Sequence, residues 1–268
     1  GNQGNHGEDV KEYYFYRDAT PSHSYLSYLY KYPQNTYPYK DLVQENLTRG
    51  RLEPAYNLLD SGVMDQSRYW DVEIMYAKAN PEEIHIHLVV HNRGPESSEI
   101  NLIPTLWFRN TWSWDNDEIK PEIKEIESAE GANWTIEASH VTLGSYFLHG
   151  VHDADLLFTE NETNVEKLWA IKSSGAYSKD AFHRYIIDNN ISAVNPSNFG
   201  TKFCANRKVR VEPGQFTRFG LILNKSKDHA AFDQFAKTFS SRRSEADVFY
   251  DQLLPEASPE DMRILRSS

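Results

Sequence analysis

The chain has 268 residues, 25% of them charged and 39% hydrophobic, with a formal net charge of −11. That acidity, with no basic cluster beyond Arg242-Arg243, excludes a surface that tracks phosphates, so nucleic acid is not an expected partner. One cysteine, Cys204, excludes a disulfide-stapled scaffold, and no apolar run reaches the roughly 18 residues of a membrane span.

Aromatic residues make up 13% of the chain, with 16 Tyr and 6 Trp. They fill the cores of β-sandwiches and also stack on the apolar faces of sugars. Tyr13-Tyr14-Phe15-Tyr16 reads as a short buried strand, ended at Thr20-Pro21-Ser22. Tyr25, Leu26, Tyr28, Leu29 and Tyr32 fall at helical spacing up to Pro33, and a second helix runs from Tyr39 through Leu42, Val43 and Leu47 to a Gly50 cap. A helical insertion at about 22–50 is therefore expected beside a sheet.

From Tyr69 the period changes to two. Val72, Ile74 and Tyr76 form one run; Ile84, Ile86, Leu88 and Val90 form the next; Ile100, Leu102, Leu106 and Phe108 follow. Asn80-Pro81 and Asn92-Arg93-Gly94-Pro95 supply turns between them, which predicts a three-stranded meander. Further strands are expected at 134–138, 141–148, 155–158, 167–171, 202–211 and 216–223. So many short strands with little helix between them predict a mainly β fold, a large antiparallel β-sandwich with helical excursions near the N-terminus.

The last forty residues return to helical period. Ala231, Phe232, Phe235, Ala236 and Phe239 make one stripe, continued by Ala246, Phe249, Tyr250 and Leu253, with Asp228 as a candidate N-cap. Pro255 and Pro259 break it, and Asp261–Arg266 begins another helix. The expected division is a β domain over 1–226 and helical linkers over 227–268. A chain that opens without Met and ends as a helix begins reads as a segment of a longer protein. Its single cysteine and lack of a leader favour a cytoplasmic setting.

Few residues announce chemistry. Asn5, His6, Glu8, Asp9, Lys11 and Glu12 make a dense polar loop before an aromatic strand, the composition of a ligand-site loop. Glu8 and Asp9 are adjacent and point to opposite sides of an extended chain, so they make no facing pair of carboxylates. Arg109, Asn110, Trp112 and Trp114 close the third alternating run, and the two indoles share a face there, suiting a sugar platform, a domain interface or a cap over the sandwich. His85 and His87 share a face with His91 following; they lack the third ligand and carboxylate of a catalytic zinc and read as solvent-facing. His149, His152, Asp153 and Asp155 read as a turn. There is no nucleophile elbow, phosphate-binding loop or paired-cysteine motif. No metal or cofactor is expected.

Gly4-Asn5-His6-Gly7-Glu8-Asp9-Val10-Lys11-Glu12-Tyr13-Tyr14-Phe15-Tyr16 resembles bacterial-type members of glycoside hydrolase family 63, which also includes the processing α-glucosidase of N-glycans. The resemblance continues through Thr20-Pro21-Ser22-His23-Ser24-Tyr25, Tyr30-Lys31-Tyr32-Pro33-Gln34 and Leu59-Asp60-Ser61-Gly62-Val63. It is tightest at Asn92-Arg93-Gly94-Pro95 and Leu102-Ile103-Pro104-Thr105-Leu106-Trp107-Phe108-Arg109-Asn110-Thr111-Trp112-Ser113-Trp114. It reaches Arg243, Glu245, Ala246, Asp247 and Tyr250.

The resemblance implies an N-terminal β-supersandwich, then helical linkers, then an (α/α)6 barrel that carries the acid and base of an inverting hydrolysis. No position here matches either catalytic carboxylate. The implied role is a non-catalytic domain whose partner is its own C-terminal barrel, with the 5–12 loop and the 109–114 segment facing that barrel or rimming an oligosaccharide site. The competing readings are a stand-alone carbohydrate-binding or structural module, and an independent enzyme using Glu8, Asp9 or Glu12.

Overall fold

The computed structural model describes residues 12–113, 119–172, 175 and 177–267. In chain order the elements are β1 (Tyr13–Ala19), β2 (Tyr25–Pro33), α1 (Tyr39–Thr48), β3 (Tyr69–Asn80), β4 (Glu83–Asn92), β5 (Ser98–Leu102) and β6 (Thr105–Trp107). Then come β7 (Glu122–Ile126), β8 (Trp134–His140), β9 (Gly144–Gly150), β10 (Asp155–Thr159), α2 (Val165–Trp169) and α3 (Ala181–Asp188). The last are β11 (Phe199–Gly200), β12 (Lys202–Val211), β13 (Phe216–Asn224), α4 (Phe235–Leu253) and α5 (Pro259–Arg266).

The fold is mainly β. Nine antiparallel strands form one sheet in the order β1-β2-β3-β4-β13-β9-β8-β7-β11. A smaller sheet, β10-β12-β5 with β6 also paired to β12, packs across it. The shared core holds Trp70, Val72, Val90, Phe158, Phe203, Phe219 and Leu221, all buried. Trp134 lies against Phe203 at 5.8 Å between ring centroids, and Phe158 against Phe203 at 5.1 Å. Facing side chains from two sheets interdigitate here as in any sandwich.

Several expectations are corrected by strand pairing. The segment 25–32 is a strand, not a helix. Its sequence YLSYLYKY carries both periods at once, and pairing with β1 on one side and β3 on the other satisfies its backbone and favours its tyrosines. The helical insertion shrinks to α1, and Arg49 in extended conformation, not Gly50, ends it. The strand at Tyr13–Tyr16 forms, but as an edge strand, with Tyr14 52%, Phe15 47% and Tyr16 63% exposed rather than buried. The expected meander does not continue past β4; it runs back instead through β2 and β1. β3 and β4 make a hairpin, while β5 leaves to pair with β12 in the other sheet.

The expected strand at 167–171 is instead α2, whose N-cap Asn164 accepts from Lys167 N–H at 3.0 Å. α4 begins at Phe235 with Gln234 as N-cap, and Asp228 lies in the loop before it, where its carbonyl accepts from Glu130 N–H. α5 has its own start signal, Ser258 capping Asp261 N–H with Pro259 in the first turn. α4 lies across β2, β3 and β4, with Ala246 packed on Tyr25 and Ala77. Arg266 of α5 ion-pairs with both Asp18 and Asp247. Among the described residues no helix is long and apolar enough to cross a membrane.

Candidate functional site

Asn5, His6, Glu8, Asp9, Lys11 and Trp114 lie outside the described residues. Glu12 is exposed at the start of β1, and its carboxylate accepts from the Tyr30 hydroxyl at 3.1 Å. Arg109, Asn110 and Trp112 lie at the other margin of the sheet, beside the residues that flank β7, β10 and β11. Glu12 leads into β1 at one end of the nine-strand order, and β11 is at the other. Of the described residues, Glu12 and the Arg109–Trp112 stretch therefore lie at opposite ends of the strand order.

The Trp112 cluster is closed by its own bonds. Asn110 Nδ2 donates to Asn161 O at 3.1 Å, and Asn161 Nδ2 donates back to Phe108 O at 2.8 Å. Trp112 Nε1 donates to Glu162 at 2.9 Å, and Lys120 bridges Glu160 and Glu162 at 3.0 and 3.1 Å. Burial raises the Glu162 carboxyl, but the bonds from Trp112 and Lys120 outweigh it and hold the group below the usual range. This is the chemistry of a staple between two loops. Arg109 is exposed beside it.

The Asn92-Arg93-Gly94-Pro95 turn is a second staple. Asn92 is 0% exposed. Its Nδ2 donates to Glu96 O at 2.7 Å and to Val211 O at 2.8 Å, and its Oδ1 accepts from Gln34 at 2.6 Å and Gly94 N–H at 2.8 Å. Gly94 leaves room for the Gln34 amide, since an added Cβ would fall 2.2 Å from Gln34 Oε1 and displace it. Next to it, Asp71 binds Lys31 at 2.5 Å and Arg93 at 2.7 Å. Burial raises its carboxyl, yet the two cations hold it below its ordinary value.

The histidines are not solvent-facing. His85 is 0% exposed, pairs with Glu83 at 3.0 Å and lies under the Phe235 ring of α4. Helix α4 covers the strand face that alternation alone assigns to water. His149 is in β9, not a turn, and is fully buried. Its Nδ1 meets the Thr135 hydroxyl at 3.0 Å, and its Nε2 meets the acceptors Asn224 Oδ1 and Ser226 O at 3.1 Å, so the Nε2–H tautomer is the satisfied one. Asn224 in turn donates to Glu83 at 3.2 Å. Cys204 is buried, and desolvation pushes its thiol up to about 12, which removes it as a nucleophile at neutral pH. Among the described residues no group of His, Cys, Asp or Glu could hold a metal.

The open surface lies elsewhere. On the sandwich-facing side of β1, β2 and β3, cross-strand pairing sets Tyr14 beside Tyr30, Tyr16 beside Tyr28 and Leu26 beside Tyr76. The core between the sheets takes in β3, β4 and β13 and reaches Tyr30 of β2, but no residue of β1, and Tyr14, Tyr16 and Tyr32 are exposed. Ring centroids stand 6.0 Å apart for Tyr14–Tyr16, 6.3 Å for Tyr16–Tyr28 and 5.9 Å for Tyr30–Tyr32. A hollow of about 330 Å³ opens at one end, lined by Tyr16, Leu26, Tyr28, Tyr76, Asp18 and Ser267. Desolvation raises the phenols of Tyr28, Tyr30, Tyr32 and Tyr76, with Glu12 adding to the first three. They stay neutral hydrogen-bond donors. Sequence reading missed this flank because it assigned β2 to a helix and β1 to the core.

No family model matches the chain. The chain is similar to the uncharacterized protein YMR196W of Saccharomyces cerevisiae, 37% identical over 309 residues, an alignment that takes in 99% of this chain. It spans 28% of that protein's length.

Proposed function

We propose that this chain is a non-catalytic β-sandwich domain of an α-glucosidase-like glycoside hydrolase, supporting a separate catalytic domain. The observation that carries the reading is the exposed tyrosine flank of β1–β3. Tyrosine combines a large apolar face with a polar tip, and it is enriched where domains meet. Tyr14, Tyr16 and Tyr32 exposed together on one sheet face suit a docking surface rather than scattered apolar residues. The internal use of Asn92, Asn110 and Trp112 supports the same reading, since the polar side chains of the most specific motifs bind this domain's own backbone and loops. The resemblance to glycoside hydrolase family 63 supplies the activity.

The test is release of glucose from α-linked glucose oligosaccharides, with the product anomer read by NMR. The isolated chain is expected to give none, and the full-length yeast relative to give turnover with inversion. Turnover by the isolated chain, or no hydrolysis by the longer protein across α-glucosides, would overturn the reading. A stand-alone carbohydrate-binding module is the second reading, favoured by the hollow beside Tyr16, Tyr28 and Tyr76. It expects saturable oligosaccharide binding by the isolated chain, lost in Tyr16→Ala.

A further inference from the structure

Helix α4 rests on histidines. Phe235 stacks on His85 at 5.2 Å with 6° between the ring planes, and meets His87 edge-on at 5.5 Å. Phe239, one turn later, lies 5.6 Å from His87. His87 is thus the sheet residue under both aromatic teeth of the helix. Gly220 makes room for this contact, since an added Cβ there would sit 3.3 Å from the Phe235 ring. The second half of α4 holds on differently. Arg243 donates to the Tyr25 hydroxyl at 3.2 and 3.1 Å, and the Tyr250 hydroxyl donates to Ala19 O.

The charges around His87 are unbalanced. β13 contributes Arg218, and α4 contributes Arg243, whose guanidinium reaches Met75 Sδ at 3.8 Å; Met75 is His87's register partner on β3. β3 contributes one carboxylate, Glu73, which already binds Arg17 of β1 at 3.2 Å and stands 3.8 Å from His91. On β2 the nearby positions Ser27 and Leu29 carry no charge. An imidazolium at His87 would gain some attraction from the two phenyl rings. Against that it would lose hydration and meet Arg218. Burial first, then Arg218, hold its pKa below the ordinary value, with Glu73 opposing, so the unfavourable terms prevail.

We propose that α4 is an acid-released clasp: its N-terminal half stays seated on β4 while His87 is neutral, and acidification through the histidine range loosens it and bares the His85–His87 strip. The half anchored by Arg243 and Tyr250 holds no histidine and keeps the helix tethered. The device is independent of the glycosidase reading.

Hydrogen exchange by mass spectrometry on the 268-residue chain tests it, at pH 7.5 and pH 5.5, corrected for intrinsic exchange rates. Protection over 235–246 is expected to fall several-fold on acidification while protection of β3, β4 and β13 holds. His87→Gln should flatten the response. Arg218→Gln, which removes the facing cation and leaves the helix contacts intact, lets the His87 pKa rise toward its ordinary value and should lessen the response. Loss of protection in α4 and the sheet in parallel would overturn the clasp. So would an unchanged response in both variants, and Arg218→Gln decides the matter should His87→Gln fail to fold.

Discussion

Asn92→Ala removes four hydrogen bonds at a side chain with no exposure. The four partners are not equally stranded. Val211 is buried and Gly94 is buried, so Val211 O and Gly94 N–H lose their partner with no water to replace it. Gln34 is half-buried and Glu96 exposed, so both recover solvent. Two stranded groups at about 1–3 kcal/mol and two ordinary bonds at about 0.5–1 kcal/mol each give a loss on the order of 4 kcal/mol. For a chain of this size that lowers the melting temperature by roughly 8–16 °C. Urea unfolding followed by tryptophan fluorescence measures it directly. Asn92→Asp at pH 7 should cost at least as much, because a carboxylate then faces the Glu96 and Val211 carbonyls, and it should recover part of the loss in acid as the carboxyl becomes a donor. A loss below about 1 kcal/mol for Asn92→Ala would refute the idea that this side chain joins the two sheets.

Gly150→Ala places a Cβ 2.1 Å from the Trp134 ring, in a core bounded by Phe203; a destabilisation of about 3 kcal/mol or more is expected by calorimetry, and a neutral result would mean the indole moves freely. His149 is held neutral by burial, against the opposing bonds from Asn224 and Ser226, with its pKa below the ordinary value. The unfolded chain therefore takes up the proton first, and the stability contributed by the neutral ring is complete above about pH 6.5 and lost as pH falls below it. His149→Gln should lessen the drop in melting temperature between pH 7.5 and 5.5; an unchanged slope would count against it. Cys204, with its thiol near 12, should resist a disulfide-exchange reagent at pH 8 in the folded chain and react promptly in urea; rapid reaction of the native protein would contradict its burial.

Alternation over Val72–Tyr76 and Ile84–Val90 was enough to find the β3–β4 hairpin, because one face of each strand meets an apolar core and the turn residues sit between them. The tyrosine flank is hidden by a local ambiguity. Tyr25–Tyr32 satisfies spacing for a helix and for a strand, and only the partners β1 and β3 decide between them. The candidate segments at Glu12 and at Arg109–Trp112 rest on residue type alone. Residue type does not reveal that Asn110 and Trp112 are consumed by Asn161 and Glu162, some fifty positions away. The two-residue strand β11 carries too short a pattern to be read at all.

By itself the sequence determined the elements of its clearest stretches: the period-two runs, the Asn92–Pro95 turn and the apolar stripe of α4. These rest on contacts within a few residues, whose energies any window of the chain contains. Only the tertiary structure decided that β5 leaves the meander for β12, that α4 buries His85, and that the core between the sheets takes in no residue of β1. Those outcomes depend on pairs such as Asn92 with Val211, 119 positions apart, which form only once the strands that carry them have found their places.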